Sequence, residues 1–138
     1  MTTGSLNLPE DRTPRVLNRE AIWKTVKRST GLILETVGGD QAVAEQDLDQ
    51  KLTDEDRDYI TRTTKTLRLE FKQILKIDNL ESLTSLTRLF LDNNFIERIS
   101  GLDALVHLVW LDLSFNRIRR IEGCSFNDKN KYFFNSLI

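Results

Sequence analysis

The sequence of 138 residues contains one cysteine, one histidine and two prolines. With Cys124 alone no internal disulfide can form, which excludes a small secreted scaffold held together by disulfides. His107 is the sole histidine, so the chain has too few residues for a Cys/His zinc cluster and a single candidate histidine for a Ser-His-Asp triad. We expect His107 to be an ordinary surface residue. No Gly-rich phosphate loop, EF-hand or HExxH pattern occurs either. We therefore expect no enzymatic activity, no metal and no cofactor.

An excess of one charge and a long apolar run are also missing. Lys and Arg total 20 against 21 Asp and Glu, whereas proteins that bind nucleic acid or a membrane surface normally have a basic excess. The longest wholly apolar run is residues 108–111, far short of the roughly 20 residues that cross a bilayer. The first residues do not resemble a secretory signal. We expect an intracellular protein that binds neither nucleic acid nor membrane.

What the sequence does contain is a repeat of 22 residues. Over residues 89–108 it reads Leu-x-Leu-x-x-Asn-x-Ile-x-x-Ile-x-x-Leu-x-x-Leu-x-x-Leu, and copies begin at Leu67 and Leu111. In the first copy one position deviates, because Lys72 stands where the others have asparagine. Agreement at so many fixed positions is not due to chance, and it identifies the 22-residue leucine-rich repeat.

The spacing predicts the structure of each copy. Leu-x-Leu places two side chains on one face of a short strand, and the Ile and Leu residues that follow have the three-residue period of a 3₁₀ or loose helical return. Asn94 and Asn116 lie where the strand turns away, where an amide can satisfy buried backbone groups. Lys72 has no acceptor atom, so we expect the first copy to be irregular at that turn.

These patterns predict an α/β protein: a short leucine-rich-repeat solenoid of about three coils, with parallel strands on the concave face and an N-terminal helical cap. We expect a disordered arm over residues 1–17, because it contains both prolines and few large apolar groups. A helical region and cap follow over 18–63, the repeats over 64–123 and a tail without repeats over 124–138.

Two helices are predicted upstream of the repeats. Asn18 can cap a helix from Arg19 to about Ser29 that stops at Gly31. Its apolar stripe would be Ile22, Trp23 and Val26.

The second helix begins at Thr53, which precedes three acidic residues of a first turn. Tyr59 and Ile60 would then cover the open end of the first coil. The acidic run over residues 40–58 is interpreted as solvated helix surface, with contact to basic segments of a partner protein as the less favoured alternative.

The repeat pattern ends after Ile121. Apolar residues are expected at 124, 127 and 130, but two of these positions are asparagines. Cys124 occupies a core-type position, so a buried, inert thiol is expected there. We expect the tail neither to continue the repeat nor to cap it, which would leave the strand at residues 111–113 with an unpaired edge.

Three stretches resemble a known family. LRLEFKQILKIDNL at 67–80, LDNN at 91–94 and HLVWLDLSFN at 107–116 are similar to the leucine-rich-repeat subunits of the nexin–dynein regulatory complex. Residues 14–17 (PRVL) look like the N-terminal arm of those subunits, so the resemblance covers roughly residues 14–123. In that family more repeats and a long coiled coil follow, and the resemblance therefore implies a truncated form of a longer protein.

The resemblance implies a non-enzymatic component of the axoneme of motile cilia or flagella, located in the cytoplasm and cytoskeleton. Implied partners are other axonemal regulatory-complex proteins, with dynein or microtubule-associated subunits as further candidates. A different function remains open, because regulatory subunits that bind a protein phosphatase use a similar 22-residue coil. An enzyme, the third alternative, has no supporting residues.

The concave face is the usual binding surface of this architecture. Alternation with the buried leucines places nine side chains there: Thr66, Arg68, Glu70, Arg88, Phe90, Asp92, Trp110, Asp112 and Ser114. Phe90 and Trp110 should lie diagonally across neighbouring strands, and exposed aromatic residues among charges are typical of a partner hot spot. Equally open is that Trp110 only covers a gap between strands or packs on a further coil.

Basic residues near the N-terminus form another candidate surface. They are Arg12, Arg15, Arg19, Lys24, Lys27 and Arg28. Contact with the acidic microtubule surface is one interpretation of this group. Ordinary helix solubility is the other interpretation, and the favoured one.

Overall fold

The structure, a computed structural model, describes residues 15–30, 49–122 and 131–133, and the side chains of 17–30 and 49–122. It is a small mixed α/β fold with parallel strands. Its helices and strands are, in chain order, β1 (Arg15–Val16), α1 (Arg19–Ser29), α2 (Asp54–Thr63), β2 (Thr66–Arg68), β3 (Ile74–Lys76), β4 (Arg88–Phe90), β5 (Arg98–Ile99), β6 (Trp110–Asp112), β7 (Arg120–Ile121) and β8 (Lys131–Phe133).

The strands form two parallel sheets, ordered β2-β4-β6-β8 and β1-β3-β5-β7. Leu67 is paired with Leu89, and Leu89 with Leu111, so neighbouring strands differ by one sequence repeat. Three 22-residue segments, beginning at Thr66, Arg88 and Trp110, therefore each supply one strand to each sheet. We call them segments 1, 2 and 3.

The core consists of the repeated apolar positions. Leu67, Leu89 and Leu111 on the first sheet and Ile74, Ile96 and Ile99 on the return are at most 1% exposed. This burial is the main stabilising contribution, because each fully buried Leu or Ile side chain contributes about 1.5–3 kcal/mol.

The returns are successive turns. In segment 1 the amides of Leu83 and Leu86 donate to the carbonyls three residues earlier at 3.0 Å, and Leu105 and Leu108 do the same in segment 2. These i to i+3 bonds confirm the predicted three-residue period. The buried leucines of the return face the core.

Asn94 and Asn116 are buried and connect neighbouring segments. The Asn94 amide nitrogen donates to the carbonyls of Leu69 and Leu91, and its oxygen accepts from the amides of Lys72 and Ile74. Asn116 repeats the arrangement one segment later, with Leu91, Leu113 and the amide of Ile96 as partners. Each asparagine thus satisfies backbone groups of its own segment and of the preceding one, as predicted.

Segment 1 is irregular at its turn, as the lysine predicted. Phe71, Asn93 and Phe115 share one position in the three segments and all have φ of 55°. At the turn that directly follows the first strand of each segment, only segment 1 adds a second residue of positive φ within the described residues, Gln73 at 58°. It follows directly on Lys72, whose side chain is exposed.

Helix α1 confirms the prediction for residues 19–29. The Asn18 side chain accepts from the amide of Ala21 at 2.8 Å and thereby caps the helix. The predicted stripe is buried, with Ile22 4%, Trp23 8% and Val26 0% exposed.

Helix α2 begins as predicted but covers the core differently. Thr53 and Asp56 form a reciprocal capping box. Ile60 packs against the core, whereas Tyr59 is 70% exposed, so the predicted covering role of Tyr59 is wrong. Four of the ten residues of α2 are acidic and none of the ten is fully buried, so the apolar stripe is narrow and includes Ile60 but not Tyr59.

Two predicted boundaries need correction. Arg15–Val16 form β1 beside β3, and Leu17 is 2% exposed, so the arm predicted over residues 1–17 is ordered at its C-terminal end. Residues 1–14 lie outside the described residues. At the other end Lys131–Phe133 form β8, which pairs in parallel with β6. The prediction of an unpaired edge at residues 111–113 is therefore wrong.

The apolar residues at the end of segment 3 differ in burial. Leu111 and Leu113 are fully buried, but Ile121 is 53% exposed. The apolar positions of segment 3 are thus covered at the two leucines and not at Ile121. Cys124, predicted to be buried, lies outside the described residues.

Candidate functional site

The outward side chains of β2, β4 and β6 form one continuous surface, which we call the strand face. Strand pairing aligns them in rows across the sheet. One row is Thr66, Arg88 and Trp110, and the next is Arg68, Phe90 and Asp112. Glu70, Asp92 and Ser114 follow the strands at equivalent positions of the three segments.

Phe90 and Trp110 form the aromatic centre of the strand face. Their ring centroids are 6.5 Å apart and the rings are inclined by 42°, which confirms the predicted diagonal contact. The Arg68 guanidinium lies over the Phe90 ring at 4.3 Å. Both aromatic side chains are half-buried, so each keeps part of its surface available to a partner.

Charges of opposite sign lie on either side of this centre. Arg88, at the start of β4, is exposed, and Arg68 donates to Glu70 at 3.0 Å. The acidic residues lie at or beyond the strand ends, where Asp112 accepts from the Ser114 amide at 2.9 Å and Asp92 from the Asn93 side chain at 2.7 Å. These bonds hold the carboxylates in place, so the strand face presents a basic and an acidic side in fixed positions.

All nine predicted side chains therefore lie on one surface. The chemistry available there is recognition, because the surface combines two aromatic rings, two guanidinium groups and three carboxylates. The packing of Trp110 against Phe90 accounts for part of its burial. His107, predicted to be a surface residue, is exposed.

Sequence reasoning missed a polar cluster that joins the N-terminal helices. Asp49 accepts hydrogen bonds from the Trp23 indole at 2.9 Å and from Lys27 Nζ at 2.8 Å. Arg57 donates to the Asp49 carbonyl at 2.7 Å and lies 5.7 Å from the centroid of the Trp23 ring. The only available signal was the unusual combination of a Lys within the apolar stripe of α1 and an acidic residue upstream of α2.

This cluster corrects two interpretations. Lys27 is one of the basic residues interpreted as a candidate contact for the microtubule surface. Its side chain is 0% exposed, so it cannot make that contact. Asp49 belongs to the run interpreted as solvated surface, yet its carboxylate is bound. The hydrogen bond from Lys27, followed by that from Trp23, lowers the pKa of Asp49 below its usual 3.8.

The part of the chain that the structure describes also bears on metal and membrane binding. There, no group of three or more His, Cys, Asp or Glu side chains is arranged to hold a metal ion. None of the described helices combines the length and apolar character that a membrane crossing requires.

Comparison with known proteins does not assign the chain to a family. No protein-family model matches the sequence. No curated protein matches it either.

Proposed function

We propose that this chain is a leucine-rich-repeat interaction module without enzymatic activity, whose strand face binds a segment of another protein. The observation that carries the proposal is the Phe90–Trp110 pair at 6.5 Å, held between basic and acidic side chains on three strands in register. Binding hot spots are enriched in Trp and Arg and lie at the centre of a polar rim. The strand face has that composition.

The solenoid assignment is part of this proposal. It is supported by the 22-residue strand spacing, by the two parallel sheets and by the asparagine side chains that connect successive segments. In a solenoid each repeat contacts mainly its neighbours and the strands form the concave side. The strand face would then be that concave side, with α1 and α2 as the N-terminal cap.

We further propose a place in the nexin–dynein regulatory complex of motile cilia or flagella, among its other axonemal proteins. This rests on the resemblance of residues 67–80, 91–94 and 107–116. In this setting the module is a structural component that supports the regulation of ciliary motility. The alternative is a regulatory subunit for a protein phosphatase, which the same strand face would bind.

The experiment compares binding to purified, demembranated axonemes with binding to a purified phosphatase catalytic subunit. Phe90→Ala with Trp110→Ala should abolish sedimentation of the chain with axonemes while leaving its circular dichroism unchanged. Phe71→Ala with Phe115→Ala is the matched control, because these rings are 73% and 65% exposed away from the rows of the strand face. It should sediment like the parent chain.

Two results would contradict the proposal. Undiminished sedimentation of the Phe90/Trp110 variant would move the binding site off the strand face. Binding to the phosphatase subunit but not to axonemes would favour the alternative function.

A further inference from the structure

The second sheet carries three cations in register. Lys76 on β3 is paired with Arg98 on β5, and Arg98 is paired with Arg120 on β7. All three side chains are exposed. We call them the basic row; it lies on the sheet that does not contribute to the strand face.

Such a row is costly for the isolated protein. Strands in a sheet are about 4.8 Å apart, and like charges directly opposite each other are destabilising. Two nearby carboxylates offset part of the repulsion, since Lys76 pairs with Asp78 and Arg98 with Glu122, both at 3.6 Å. Both pairs are about half-exposed, so each contributes little and can be exchanged for another partner.

The surroundings of the row add positive charge. Arg117 and Arg119 precede Arg120 on segment 3 and outnumber the one carboxylate adjacent to Arg98 in the sequence, that of Glu97; all three are exposed, and Arg117 lies over the Phe95 ring at 4.6 Å. At the opposite end Leu75, which is 40% exposed, supplies apolar surface beside Lys76. An acidic partner with some apolar surface is therefore complementary to this side of the molecule.

The spacing of the basic row distinguishes a helical from an extended acidic partner. Three positions on adjacent strands span about 9.6 Å, twice the distance between strands. Helix residues i, i+4 and i+7 span about 10.5 Å, at a rise of 1.5 Å per residue. Alternate residues of an extended chain span about 13 Å over three positions, which fits the row less well.

We infer that the basic row binds an acidic α-helix of a partner protein, which lies across β3, β5 and β7 with Asp or Glu at positions i, i+4 and i+7. Each carboxylate then meets one cation of the row, and the repulsion between the three cations is relieved. The inference does not depend on the proposed function, because it concerns the other sheet and different residues.

The probe is a fluorescent helical peptide rich in Ala, with Glu at i, i+4 and i+7, and its binding to the full chain is followed by anisotropy. The variant Lys76→Gln, Arg98→Gln, Arg120→Gln should lower affinity at least tenfold. The matched control is Lys24→Gln, Arg28→Gln, Lys65→Gln, which removes the same charge from three other exposed positions. The control should retain affinity within about twofold, and binding should weaken as salt rises.

Further peptides test the geometry. A peptide of the same length and charge, with Glu at i, i+2 and i+4 and proline at i+3, should bind at least tenfold more weakly. Equal binding of the two peptides would overturn the inference, as would equal losses in the two triple variants. Tighter binding of a short DNA duplex than of the helical peptide would also overturn it.

The Phe90/Trp110 variant separates this inference from the proposed function. It should bind the acidic helix as the parent chain does, whatever its behaviour with axonemes. A loss of peptide binding in that variant would show that the peptide occupies the strand face instead of the basic row.

Discussion

At the scale of single residues, the buried asparagines show why one side-chain type recurs at one position. A primary amide has both donors and an acceptor, and Asn94 uses them towards backbone groups of two segments. Lysine has donors only, so Lys72 cannot play this role. Among the described residues before β2, β1 is the only strand, so no preceding strand-and-return segment lies there for it to connect.

The first prediction follows from this difference. Asn116→Ala leaves the Leu113 carbonyl and the Ile96 amide without this partner and leaves the Leu91 carbonyl with Asn94 alone, and should lower the free energy of unfolding by about 1–3 kcal/mol. Lys72→Ala should change it by less than about 0.5 kcal/mol, since the side chain is exposed. Equal shifts in thermal melts of the two variants would contradict the proposed role of the amide.

The second residue-scale prediction concerns Asp49. Its lowered pKa means that the ionised carboxylate is bound more strongly in the folded chain than in the unfolded one. The resulting stability is fully present above pH 3.8, the usual value for Asp, and is lost as pH falls through the lowered pKa. Asp49→Asn should therefore flatten this part of the pH dependence.

The same variant should be less stable at neutral pH. It leaves the Lys27 ammonium buried beside a neutral amide, which should lower the free energy of unfolding by about 2 kcal/mol. This value lies between those typical of exposed and of buried ion pairs. The readout is the fluorescence of Trp23 in a Trp110→Phe background, followed in urea at several pH values. A pH dependence identical to that of the parent would show that Asp49 does not couple proton binding to folding.

At the scale of elements, the strands have two or three residues each, too few to be stable alone. The 22-residue period specifies the burial of Leu67, Leu89 and Leu111. Because of this, the sequence predicted both the strand and the return of each segment. It could not predict β1 or β8, because a strand of two or three residues has no period of its own and depends on the neighbour with which it pairs. The Asp49 cluster was missed for a similar reason: its members are far apart in the chain.

A turn after β5 supplies the third prediction. Gly101 has φ of 73°, and the equivalent residue of segment 1, Asn79, has 59°. A Cβ on Gly101 would meet the Ile77 carbonyl oxygen at 3.4 Å, so space permits a side chain and the cost comes from the backbone conformation.

Gly101→Ala should therefore destabilise the chain by about 1–2 kcal/mol. Gly101→Asn should cost less, because Asn tolerates positive φ and already occupies the equivalent position in segment 1. Chemical denaturation of both variants would test this order. An alanine variant as stable as the asparagine variant would show that the turn changes its conformation.

At the scale of the whole molecule, chain order equals spatial order in both sheets. Segments 1 and 2 each lie beside another segment, and β6 is followed by β8, so the free edge of the first sheet beyond segment 3 belongs to β8. The offset from β6 to β8 is 21 residues instead of 22, since Leu111 is paired with Tyr132. A periodic search at 22 residues does not find a strand at that offset.

The fourth prediction tests the role of β8 as the closing strand. A chain that ends at residue 130 exposes the backbone groups of β6 and should self-associate at micromolar concentration, as judged by sedimentation velocity. A chain that ends at Phe133 keeps β8 and is the control, which should sediment like the full chain. Equal sedimentation of the two truncated chains would contradict the assigned role.

The parallel order of the strands also has a mechanical consequence. A pulling force applied between Leu17 and Glu122 acts across the second sheet, since Leu17 follows β1 at one end of that sheet and Glu122 follows β7 at the other. The hydrogen bonds between neighbouring strands would then be loaded one after another, and segments would detach singly. Tension of this kind would lengthen the protein in steps of about one segment, and the molecule would act as an extensible connection between whatever its two ends hold.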